Sequence, residues 1–73
     1  MDIQEAAKVL GRKLCGIVPH VVGVGESCDT DGMLKLCVVI DTCGMHEIHM
    51  TIHRILKEVG DVQFGGYAIT FGF

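Results

Sequence analysis

Residues 34–59, LKLCVVIDTCGMHEIHMTIHRILKEV, change their hydrophobic period part-way along, and that change decides the fold. Leu34, Leu36, Val38 and Ile40 alternate with Lys35, Cys37, Val39 and Asp41, a period of two that predicts a strand over 33–41 with one firmly apolar face. From residue 44 the apolar positions become Met45, Ile48, Ile52, Ile55, Leu56 and Val59. That spacing predicts an amphipathic helix over 44–59, closed by Gly60.

Upstream, Ile3, Ala6, Ala7, Leu10 and Leu14 form a single apolar stripe, which predicts a helix over 2–15. Asp2 can cap its first turn with Glu5 in capping-box position, and Lys8, Arg12 and Lys13 favour the negative end of its dipole. Gly16 and Pro19 stop it. Val21, Val22 and Val24 predict a strand over 20–26, with Gly23 and Gly25 marking close packing or a bulge. Ser27-Cys28-Asp29-Thr30-Asp31-Gly32 is turn chemistry throughout, so the first two strands form a hairpin with a long loop. Downstream, Val62 and Phe64 lie on one parity and Tyr67, Ile69, Phe71 and Phe73 on the other. A β-bulge at Gly65-Gly66 within one strand over 61–72 accounts for the shift, and a tight hairpin at the same glycines is the alternative.

The expected architecture is a single α+β domain over residues 1–73, ordered helix-strand-strand-helix-strand. Both helices are apolar on one side only, so they should share one face of a three-stranded, antiparallel-rich sheet. The other face would present Cys37, Val39 and some C-terminal aromatics, too apolar to leave wet. A chain of 73 residues buries only about 60% of its unfolded surface. Both points predict a homo-oligomer.

Six Lys and Arg stand against nine Asp and Glu, a formal charge of −3, with no basic cluster. Nucleic acid is therefore not the expected partner. No uncharged stretch reaches the length of a membrane span, so no membrane insertion is expected. The four cysteines, Cys15, Cys28, Cys37 and Cys43, show no Cys-x-x-Cys spacing, and MDIQEAAKVL at the start has none of the character of a secretory signal. A reducing, cytoplasmic setting is expected.

The chemistry-bearing residues gather on the second helix. His46, His49 and His53 fall within about 60° of one another on a helical wheel, away from the Ile48/Ile52/Val59 stripe. His49 and His53, at i and i+4, can each offer a ring nitrogen to Zn²⁺. Met50 lies beside them and Cys43 just before the helix, and imidazole with thiolate suits Zn, Cu or Fe. The competing reading is an ordinary solvated helix face. His20, beside Pro19, reads as a residue at the start of a strand. Cys15 and Cys37 read as small core or interface hydrophobes, and Cys28 as a loop thiol. No phosphate-binding loop or nucleophile–base pair is present at recognisable spacing, so an enzyme is not expected.

Val21-Val22-Gly23-Val24, the turn at Asp31-Gly32, LKLCVVID, and Glu47-Ile48-His49-Met50-Thr51-Ile52-His53-Arg54-Ile55 together resemble the cytoplasmic C-terminal domain of cation diffusion facilitator transporters. The resemblance spans about residues 3–63. It implies a ferredoxin-like, metallochaperone-like fold, a homodimer, and divalent-metal binding, Zn foremost, that regulates a membrane transporter or another protein partner. Where that family often carries further histidines this chain has Gly25 and Glu26, and Tyr67 and Thr70, which leaves His49 and His53 as the ligands carried over. Thr42-Cys43-Gly44 followed by HMTIHRILKEVGDV is also similar to Nfu-type iron–sulfur scaffold and related assembly domains. There a Cys precedes the second helix, as Cys43 does, although His46 stands where the scaffold has its second Cys. That similarity implies an iron–sulfur assembly factor, and the third possibility is a protein-interaction domain without metal.

Overall fold

The computed structural model describes all 73 residues. Six elements follow in order: α1 (Ile3–Leu14), β1 (Val21–Cys28), β2 (Leu34–Ile40), α2 (Met45–Val59), β3 (Gln63–Phe64) and β4 (Tyr67–Gly72). The α+β class is as the sequence indicates. The sheet differs: it has four strands in the order β1-β2-β4-β3, not three. β1 and β2 form an antiparallel hairpin, β3 and β4 a second one, and β2 and β4 join the two as a central parallel pair.

The extra strand arises at Gly65 and Gly66. Their φ values of 62° and 88° are both left-handed, the combination a two-residue type I′ hairpin demands. The chain therefore reverses, Phe64 pairs with Tyr67, and the parity change reflects a turn instead of a bulge. A bulge does occur elsewhere, in β1, where the register slips between Val21 and Gly23. α2 serves as the crossover that two parallel strands require.

The start of α1 and the end of α2 are closed by local chemistry. The Asp2 carboxylate accepts the Glu5 N–H at 2.8 Å, capping α1. At the end of α2, Gly60 adopts the left-handed conformation and its N–H donates to the Leu56 carbonyl at 2.8 Å. A glycine is suited there because a Cβ would strain that geometry. In the β1–β2 loop the Asp29 and Asp31 carboxylates accept the N–H groups of Thr30 and Met33, and Lys35 Nζ lies 2.6 Å from Asp29 Oδ2.

Ala6, Ala7, Leu10 and Leu14 of α1, Val18, alternate residues Leu36, Val38 and Ile40 of β2, and Ile55 of α2 form one buried cluster. Because paired residues share a face, the register places Tyr67, Ile69 and Phe71 of β4 on this same side, and they pack against it. This corrects the expected location of the C-terminal aromatics. The uncovered face instead carries mostly small residues: Gly23, Gly25 and Ser27, Lys35, Cys37 and Val39, then Ala68, Thr70 and Gly72. Two further expectations change. Met45 is exposed and Thr51 takes a buried position on the inner side of α2, while Cys15, at the end of α1, is exposed and so is not a core residue of the single chain.

Candidate functional site

Packing of Ile48, Thr51 and Ile55 inward fixes which side of α2 meets water. His46, His49, Met50, His53 and Arg54 are all exposed on it. None of the histidine rings makes a hydrogen bond or ion pair within the chain. They remain free to bind something else.

The histidines do not all converge. His46 lines an open groove of about 240 Å³ between α2 and the segment joining α1 to β1, together with Val18, Pro19, His20, Glu47, Met50, Thr51 and Arg54. His53 lines a second, shallow groove of about 280 Å³ further along the helix, with Met50, Arg54, Lys57 and Glu58. Met50 and Arg54 form the ridge between the two grooves, and His49 lines neither. No three His, Cys, Asp or Glu side chains are arranged to close round one ion. A single chain thus offers the His49/His53 pair at i and i+4 without a third such side chain placed to close the site.

Cys43 is exposed just ahead of α2. Gly44, the N-cap, supplies no side chain, and the Glu47 carboxylate folds back against it, so that a Cβ on Gly44 would collide with Glu47 Oε2. The Thr42 hydroxyl donates to that same oxygen at 3.4 Å. Glu47 is thereby engaged in the start of the helix, where a carboxylate also meets the positive end of the dipole.

No protein-family model matches the chain, and no curated protein or solved structure matches it either. The site has to be read from its own side chains.

His20 is the residue the sequence reading missed. It is the only non-glycine residue with positive φ, at 70°, and its carbonyl accepts the Asp41 N–H at 2.7 Å, which ties it to the end of β2. Such backbone conformations in non-glycine residues are uncommon and collect at functional sites. Nothing local in the sequence marks it, because its partners lie on a helix more than twenty residues downstream. The titratable groups that do shift are Asp29, in the β1–β2 loop, and Lys35, at the start of β2. Their direct hydrogen-bonded contact holds the Asp29 carboxyl below its ordinary range and the Lys35 ammonium above its own.

Proposed function

We propose that this domain is a small binding and regulatory module, not an enzyme, which captures a divalent transition metal, Zn²⁺ foremost, on His49 and His53 and works as a homodimer. The observation that carries the reading is the pair itself: two exposed imidazoles at i and i+4 on a rigid helix, without a partner in the chain. Zinc in a closed site takes four ligands in a tetrahedron. One chain supplies two, so two copies sharing an ion complete the set. The resemblance of residues 3–63 to the cytoplasmic domain of cation diffusion facilitators supports the same reading, with transport regulation as the role. His46 and Cys43, flanking the pair, are the reserve donors.

Zn²⁺ bound to the folded state alone adds about 2.7 kcal/mol at a hundredfold excess over Kd. Unfolding entropy of about 2.1 cal/mol/K per residue turns that into a rise of roughly 15–20 °C in Tm for a domain this size. The test is a melting curve with and without Zn²⁺, alongside sedimentation. The expected results are a rise of that order, one ion per two chains, and loss of both in H49Q/H53Q with the apo Tm unchanged. A wild-type curve that stays in place on adding Zn²⁺ overturns the metal reading and leaves an interaction module. Cys43 is exposed at the start of α2, which keeps the iron–sulfur alternative in play. C43S should spare Zn²⁺ binding and abolish any cluster assembled on anaerobic reconstitution with iron and sulfide.

A further inference from the structure

We infer that the groove between α2 and the α1–β1 junction is a separate site for a soft monovalent metal ion, Cu(I), held by His20, His46 and Met50. This assignment does not depend on the His49/His53 pair.

Three donors from two distant parts of the sequence line one cavity of about 240 Å³. His46 and Met50 are an i, i+4 pair, so their side chains are neighbours on the surface of α2. His20 lines the facing wall, on a backbone pinned by the Asp41 N–H and held at positive φ. Met50, like the other three methionines, is mostly exposed and contributes little to the core, and it alone of the four lines the groove. Its thioether is at the disposal of a ligand.

The donor set selects the ion. Thioether sulfur favours Cu(I), and imidazole also suits copper. The Glu47 carboxylate also lines the groove, but its Oε2 is turned onto Gly44 and accepts from Thr42, so the thioether and the two imidazoles outweigh the oxygen donors that Mg²⁺, Ca²⁺ or Mn²⁺ prefer. Arg54 forms part of the wall. Coulomb repulsion from its fixed positive charge is twice as large for a dication as for a monocation. Softness and charge point to the same ion.

The competing thiols must be removed to read this site. The experiment uses C15S/C28S/C37S/C43S, which replaces all four free cysteines, titrated anaerobically with Cu(I) supplied as its acetonitrile complex against bicinchoninate. Methyl resonances of ¹³C-methyl-methionine are followed in parallel. One Cu(I) per chain is expected, with the Met50 methyl shifting and those of Met1, Met33 and Met45 in place. M50L removes the sulfur while keeping an apolar side chain, and H20N retains a residue type that tolerates positive φ. Each should weaken Cu(I) at least about tenfold, a loss typical of damaging a metal site, whereas H49Q/H53Q should leave it unchanged. An M50L chain that competes as well as its parent, or a Met50 methyl that does not move, overturns the assignment. Loss of Cu(I) binding in H49Q/H53Q alone would also overturn it by moving the ion to the other pair. Zn²⁺ stabilisation that fails while Cu(I) binding persists would sink only the dimer proposal.

Discussion

Replacing Ile55 by Ala tests how α2, which carries every candidate ligand but His20 and Cys43, is held to the sheet. The sequence stripe gives Ile55 and Met45 equal standing, but in the structure Ile55 is fully buried and Met45 is 67% exposed. Removing three buried carbons forfeits about 0.8 kcal/mol each, and the cavity left behind brings Ile→Ala into the range of about 2–5 kcal/mol. A central value near 3 kcal/mol is expected, because Ile55 is the one α2 residue within the main buried cluster, while Ile52 and Val59 pack only partly buried against it. Over 73 residues an unfolding entropy of about 2.1 cal/mol/K per residue gives roughly 0.15 kcal/mol/K, hence a fall in Tm of about 20 °C. Urea unfolding followed by circular dichroism measures the same loss, as a midpoint lower by about 2–3 M at the small slope typical of a domain this size. M45A is the control, expected to stay within about 0.5 kcal/mol of wild type. If M45A costs as much as I55A, or I55A costs less than about 1 kcal/mol, α2 is docked in a different rotation and the assignment of its wet face fails with it.

Gly65→Ala and Gly66→Ala should both destabilise, since each forces a side chain into the left-handed region at about 1–2 kcal/mol. Gly65→Ala should cost more, because its Cβ would also lie 3.3 Å from Ala6 Cβ and Met1 Sδ; equal losses in urea titration would remove that contact from the account. Thr70→Glu, at the middle of the uncovered sheet face, should leave far-UV circular dichroism and the zinc-linked dimer in sedimentation unchanged, because that face lies on the side of the sheet away from α2; conversion to monomer would move the interface onto the sheet and away from the histidine pair. Asp29 titrates below its ordinary value of 3.8, chiefly because Lys35 donates a hydrogen bond to it. A lowered carboxyl favours the folded state above the unfolded value and loses that contribution as pH falls through the folded one. K35M should bring the Asp29 carboxyl resonance back toward an ordinary titration, and concentrated salt should do much the same, as the pair is solvent-exposed and readily screened.

What could be read from the sequence follows from how local its physics is. Both helices and the β1–β2 hairpin are written in short-range periodicity and caps, and the structure has them within a few residues of the expected bounds. The Gly65-Gly66 step was legible as a break in alternation but not as a reversal, because bulge and hairpin shift parity alike. Only the pairing of Phe64 with Tyr67 separates them. The error over the aromatics followed directly, since the side of the sheet occupied by Tyr67 and Phe71 depends on the register of β4 against β2, a contact across a whole helix. The candidate site divides in the same way. The ridge of His46, His49 and His53 is visible in the spacing of one helix, whereas His20 reaches the groove only through tertiary placement.

The position of β4 has a consequence for how the chain is made. The last strand of the sequence lies inside the sheet, between β2 and β3. During vectorial synthesis the β1–β2 hairpin and both helices emerge before β4, and the edge of β2 waits for a neighbour made later. Until then the nascent domain has a two-stranded ribbon, marginal by itself, and an unpaired inner strand of the kind that recruits other chains. Folding is thus held open until the β3–β4 hairpin is released and inserts as a unit. Substitutions that slow the Gly65-Gly66 reversal should accordingly lower soluble yield in cells by more than their effect on equilibrium stability accounts for.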